Sequence, residues 1–246
     1  MPHWRLLETW DWAPGANMAL DEAQLEIAGL APTLRFYTWR PDALSLGWFQ
    51  RVEDVPAARG GLLVVRRLTG GGAIHHAAEL TYSLAGPADA PPFDGPVARS
   101  YERIHAALAA ALATFGVASE LRGARRLTSD LAGTGMCFHA SSALDLVLDG
   151  RKLVGSAQRR RRGRVLHHGS IKLRASACET AVAELPGVEA RALAAACERG
   201  LSGALGIELE RAEPSAAELA HVRAREHWYA SAAHVLAGGR RRGDGR

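Results

Sequence analysis

From position 33 to 173 the chain alternates short β-branched and aromatic runs with turns built on glycine and proline, and this order restricts the fold more than any other feature. Thr33–Trp39 (TLRFYTW), a short run within 43–49, and the segments 61–67 and 79–85 read as strands. A helical pattern fills 15–29, with Asn17 as its cap and Asp21 and Glu22 near its positive end. A second fills 101–115 and stops at Gly116. Segments 86–96 and 128–139 read as loops. Beyond them, 143–148, the Asp149-Gly150 turn and 151–158 form a hairpin, followed by a strand at 168–173. From Val188 onward the chain is alanine-rich and helical. Strands first, with helices inserted and then appended, predict an α+β fold with a mixed, mostly antiparallel sheet and flanking helices. One domain is expected over 1–237, with a disordered basic tail at 238–246.

A length of 246 residues, 48% of them hydrophobic, is enough to bury a core. No run approaches the ~20 apolar residues that span a bilayer, and the start, MPHWRLLETWDW, lacks the pattern of a signal peptide. A soluble cytoplasmic protein with no membrane role is the expectation. Three cysteines without a CxxC pair imply neither a disulfide scaffold nor a metal site. The net charge of +4 favours an acidic partner. Its arginine runs, 159–164 and 240–246, lack the interleaved aromatics of a single-strand-binding surface, so no nucleic acid partner is expected. The first run reads as solvated surface, with docking of an acidic protein as its functional alternative.

Three places carry candidate chemistry. Gly70, Gly71 and Gly72 follow a strand and are flanked by Arg66 and Arg67 and by His75 and His76. Such a turn lets backbone amides approach a ligand closely, or is simply a tight hairpin between surface basic residues. It matches neither of the common nucleotide-binding glycine motifs. Cys137 lies in a glycine-punctuated loop, where a thiol is either a nucleophile or a small core residue. Cys178 and Cys197, in alanine-rich surroundings, read as structural. Lys152 follows the Asp149-Gly150 turn. Strand alternation puts it on one face with Val154 and Ser156, and Leu153, Gly155 and Ala157 on the other. It is either a solvated hairpin residue or, folded against Cys137, an ammonium that favours the thiolate and shuttles a proton.

Four blocks in order resemble the biotin/lipoate protein ligase and transferase superfamily: Asn17-Met18-Ala19-Leu20-Asp21-Glu22; Thr33–Trp39 with Leu44-Ser45-Leu46-Gly47; Val65-Arg66-Arg67-Leu68-Thr69-Gly70-Gly71 through His76, then Glu79-Leu80-Thr81-Tyr82-Ser83; and Lys152-Leu153-Val154-Gly155-Ser156-Ala157-Gln158 with His168-Gly169-Ser170. Cys137-Phe138 shortly before Lys152 is similar to the cysteine-dependent, LipM-type octanoyltransferases.

That resemblance implies that Cys137 takes octanoyl from octanoyl-acyl carrier protein as a thioester, with Lys152 lowering its pKa. The acyl group then passes to a lysine of a lipoyl-domain protein such as glycine-cleavage H protein, with no cofactor. Arg67, Gly70, Gly71, Gly72, His76, Ser156, Ala157, His168 and Gly169 are implied to bind substrate. Two alternatives stay open: an ATP- and magnesium-dependent lipoate-protein ligase, and a non-catalytic relative that binds acyl groups or acyl carrier protein. Gly72 stands where the transferases often carry arginine and ligases a third glycine. Ala77 and Met136 replace an acidic residue and a proline common in the transferases. The length leaves little room for the ligases' accessory domain.

Overall fold

The structure, a computed structural model, describes residues 1–238. The expected tail, apart from Gly238, lies outside the described residues. In chain order the elements are β1 (His3–Trp12), α1 (Pro14–Glu26), β2 (Thr33–Trp39), β3 (Ala43–Leu46), β4 (Leu63–Arg66), β5 (Ile74–His76), β6 (Glu79–Pro87), α2 (Val97–Ala113), β7 (Glu120–Leu121), β8 (Leu146–Leu148), β9 (Arg151–Arg161), β10 (Arg164–Lys172), α3 (Ala190–Leu205), β11 (Glu208–Arg211), α4 (Ala216–Tyr229) and α5 (Ala232–Leu236). The main sheet has the order β11-β1-β2-β6-β10-β9-β8-β7. Only the β11-β1-β2 end is parallel, and from β2 to β7 every pairing is antiparallel. A small sheet, β4-β3-β5, lies beside it. The mixed α+β architecture agrees with the sequence pattern.

Alternation along the central strands separates two layers. Leu34, Phe36, Leu84 and Val154 point to one face, where Ile104 and Leu108 of α2 and Leu193 and Leu201 of α3 complete the largest core cluster. Each such side chain, fully buried, contributes roughly 1.5–3 kcal/mol. The other face is more polar and is covered by α1, which α4 backs in turn; Met18, Ala19, Tyr37, Trp39, Val222 and Tyr229 pack there. The candidate site lies on this second face, between the main sheet, α1 and the small sheet.

Several expectations need correction. Asn17 does not cap α1, which starts at Pro14 with proline in its first turn. Asn17 is buried within the helix, where its amide donates to the Thr38 carbonyl at 3.0 Å and its oxygen accepts from Arg35. The first residues, where no element is evident from pattern, form β1 inside the sheet, because consecutive Leu6 and Leu7 are both buried and mask the alternation. The arginine run is solvated only in part, since several of its side chains bond the protein itself. Arg159 donates to the Leu68 carbonyl, Arg160 to Phe93 and Arg164 to Gln24 and Leu30, while Arg161 and Arg162 pair with Glu26. Arg161 and Arg162 nevertheless stay exposed, at 47% and 71%, so the run keeps a solvated face.

The hairpin carries the most consequential departure. Asp149 and Gly150 both have positive φ (49° and 72°), the geometry of a two-residue hairpin turn. Leu146 then pairs with Val154 but Val147 pairs with Lys152, so Leu153 is an extra residue, a β-bulge. The bulge lets Leu153 and Val154 both enter the core. It also moves Lys152 to the face of Gly155, away from Ser156, contrary to simple alternation.

Candidate active site

Cys137 begins a short 3-10 turn, Cys137–His139, at the end of the long loop that precedes β8. Two backbone bonds join this loop to the glycine-rich turn: the Cys137 amide donates to the Ala73 carbonyl at 2.7 Å, and the Ala73 amide to Gly135 at 2.9 Å. The approach is so close that a Cβ on Gly72 would lie 2.7 Å from the Cys137 nitrogen. In this chain the third glycine is a steric requirement of the cysteine loop.

Arg67 shapes the same turn from within. Its Nη2 donates to the carbonyls of Gly70 and Gly72 at 2.8 and 2.7 Å, and its Nη1 to the Ser45 carbonyl at 3.1 Å. Gly71 sits at φ 92°, a conformation that glycine adopts without strain. Gly70 faces outward against the exposed Phe49 ring.

Lys152 is buried, with its Nζ 3.4 Å from Cys137 Sγ. The same ammonium donates to the carbonyls of Cys137 and Ala140 at 2.9 and 3.2 Å, and lies 2.9 Å from the Asp145 carboxylate. Burial opposes its charge, but Cys137 and Asp145 outweigh that penalty and hold its pKa above the ordinary lysine value. Gly155 leaves the space this requires: a Cβ there would stand 2.7 Å from Lys152 Cε and 3.3 Å from Cys137 Sγ. Asp145 and Gly155 were not among the candidates from sequence. An aspartate between apolar neighbours in Ala143-Leu144-Asp145-Leu146-Val147 is the one signal that pointed to the first.

A mostly apolar pocket adjoins the thiol. Of the expected binding residues, Arg67, Gly71, His76, Ser156, Ala157, His168 and Gly169 line it with Cys137; Met18, Tyr37, Trp39 and Ile74, not assigned to the site from sequence, add apolar walls, and Ser45, Thr81, Gly155 and Ser170 complete it. Gly70, Gly72 and Lys152 lie outside that lining. The Ser156 hydroxyl also turns away, bonding Tyr82 OH at 2.6 Å and His105 Nε2 at 2.7 Å under α2. Gly169 makes room for that pair, since its Cβ would come within 2.5 Å of Ser156 Oγ.

The polar wall residues are locked by buried networks. His76 stacks on Trp39 at 3.7 Å, donates through Nδ1 to Glu79 at 2.5 Å and accepts from Ser45 at Nε2. Burial pushes its pKa down to about 4, so the ring is neutral. Glu79 is ionised: burial raises its pKa, but Lys172, 2.7 Å away, and His76 outweigh that and hold it below the usual carboxylate range. Thr81 and Ser170 also donate to Glu79. His168 bridges Asp21 at 2.8 Å and Thr69 at 2.6 Å. His75, expected on the surface, is buried, and its carbonyl accepts from Lys172 at 2.7 Å. Cys197 is a core residue whose thiol burial pushes up to about 12, as a structural cysteine requires.

Residues 13–185, from the start of α1 past the end of β10, match the lipoyl protein ligase A/B catalytic domain. The chain belongs to that family. Among curated relatives it is 46% identical over 177 residues to Octanoyltransferase LipM of Moorella thermoacetica, covering 69% of this chain and 65% of the relative. It is 40% identical over 181 residues to Octanoyltransferase LipM of Carboxydothermus hydrogenoformans, covering 71% and 66%. The match therefore spans just under two thirds of the length of these relatives. The family fold is also that of solved structures. A bi-partite lipoate protein ligase from Thermoplasma acidophilum superposes with a TM-score of 0.78 at 21% identity, covering 98% of both chains. A lipoate-protein ligase A bound with ATP does so with a TM-score of 0.77 at 22% identity, covering 96% of this chain and 99% of that one. Among the described residues, no helix is long and apolar enough to cross a membrane.

Proposed function

We propose that this chain is an octanoyltransferase of lipoate biosynthesis, taking octanoyl from octanoyl-acyl carrier protein onto Cys137 and passing it to a lysine of a lipoyl-domain protein such as glycine-cleavage H protein. The observation that carries this reading is the Lys152 ammonium 3.4 Å from Cys137 Sγ, beside a mostly apolar pocket. The resemblance to enzymes named Octanoyltransferase LipM supports it.

In the first step the Cys137 thiolate attacks the thioester carbonyl, and the carrier's thiolate departs and takes up a proton. The Lys152 charge pairs with the attacking sulfur. Fixed by Asp145 and two carbonyls, Lys152 serves as a stationary cation rather than a proton shuttle. In the second step the neutral amine of the acceptor attacks the acyl-enzyme, loses its extra proton to solvent, and expels the Cys137 thiolate. One thioester is consumed and one amide formed, so neither ATP nor a metal ion is needed.

The test is intact-protein mass spectrometry after mixing the chain with octanoyl-acyl carrier protein, without ATP. The expected product is a hydroxylamine-labile octanoyl adduct on Cys137, absent in Cys137→Ser, that passes to a lipoyl domain. Modification of the lipoyl domain only after ATP and free lipoate are added would replace this reading with a ligase.

A further inference from the structure

The cavity beside Cys137 has walls of unequal stiffness. Tyr37 is tied to Asp21 and covered by the Arg35 guanidinium 3.9 Å from its ring; Trp39 is tied to Thr81 and stacked on His76. The other polar wall residues are held by the networks described above. Gly71, Gly155 and Gly169 offer no side chain. Three apolar side chains remain, Met18, Ile74 and Ala157. Ile74 packs with Phe138 and the flank of Cys137, so it borders the thiol. Met18 belongs to a different cluster, with Tyr37, Trp39 and Val65, and enters from α1. Ala157 has a single carbon to offer.

We propose that Met18 is the specificity-determining end wall of the acyl cavity and sets the longest straight acyl chain the site accepts. The proposal rests on the acyl-transfer reading of this site. Methionine, unbranched and with three rotatable bonds, is the wall residue best able to set and adjust a cavity depth. It is 1% exposed, so shortening it opens space inside the protein rather than at its surface. Truncation to alanine removes three heavy atoms, the room taken by two to three methylenes of a longer chain. Each methylene buried there changes preference by roughly fourfold.

The experiment offers wild type and Met18→Ala an equimolar mixture of hexanoyl, octanoyl, decanoyl and dodecanoyl pantetheine thioesters and reads Cys137 acylation by intact mass. The variant's decanoyl-to-octanoyl ratio is expected to rise by at least tenfold. Val222→Ala, in the same cluster as Met18 but outside the cavity lining, is expected to keep the wild-type preference. A folded Met18→Ala with the wild-type ratio overturns the proposal. Should alanine unfold the chain, Met18→Val supplies the same comparison with a smaller step. If wild type accepts no acyl group at all, the transfer reading fails separately. The wall is then read by thermal shift with free fatty acids of six to twelve carbons. A longer best-stabilising chain in Met18→Ala sustains the proposal, and an unchanged one removes it.

Discussion

The Lys152 ammonium lies 2.9 Å from the Asp145 carboxylate, and both side chains are almost wholly buried. A charge pair in this setting is costly to break, because the remaining partner stays desolvated; removing one member of such a pair typically costs about 3–5 kcal/mol. Asp145→Asn keeps the shape and removes the charge. Its thermal midpoint is expected to fall, and single-turnover acylation of Cys137 to fall at least about tenfold, equivalent to ~1.4 kcal/mol of barrier. Wild-type acylation kinetics in a folded Asp145→Asn would show that the carboxylate has no part in placing Lys152.

Gly155→Ala probes the same cluster from the other side. The added methyl would lie 2.7 Å from Lys152 Cε and 3.3 Å from Cys137 Sγ, so the ammonium must move away from the sulfur. Displacement of a reacting group by ~1 Å can cost about a hundredfold in rate. Acylation should drop on that scale while the circular dichroism spectrum stays native. Unchanged acylation would mean that the close pairing is dispensable.

Gly72→Ala tests the contact between the glycine turn and the cysteine loop. Its Cβ would meet the Cys137 backbone at 2.7–2.8 Å, both atoms being main chain and unable to rotate aside. Overpacking of this kind costs about 1–3 kcal/mol. Denaturant unfolding should register that loss, and Cys137 should react faster with a bulky maleimide as its loop is pushed outward.

The His76–Glu79 pair predicts a pH dependence of stability. His76 is neutral when folded, with a pKa near 4, against an ordinary value of 6.5. The unfolded chain therefore binds more protons between those values, so stability is full above about pH 6.5 and is lost as pH falls toward 4, on the order of 3 kcal/mol for a shift of that size. Glu79, depressed below its usual range, adds stability above its unfolded pKa that is lost as pH falls further. Buried His105 and His167, also lowered, act in the same direction as His76. His76→Gln should flatten, without abolishing, the slope of unfolding free energy across pH 4–6.5. An unaltered slope would mean that His76 is charged in the folded protein.

Local pattern was a good guide wherever one residue's neighbours in sequence decide its state. Thr33–Trp39 is a strand with the expected bounds, and the Asp149-Gly150 hairpin needs only the positive φ of those two residues. The ordered motifs also carried the family and brought Cys137, Lys152 and the glycine turn into view together. Asp145 was not visible as a partner, because nothing in a linear pattern says which cation an isolated buried carboxylate will meet. Met18 and Tyr37 looked like ordinary core.

The amino-acid sequence by itself determined the α+β class, the hairpin, the family and half of the cavity-lining residues, because periodicity, turn chemistry and motif order are local properties. Only the tertiary structure decided that Lys152 faces Cys137. That outcome depends on one extra residue, Leu153, bulging opposite β8, and a one-residue change of register exchanges the faces of a strand. It also decided that Arg159, Arg160 and Arg164 hold backbone carbonyls, since those partners come from segments distant in the chain.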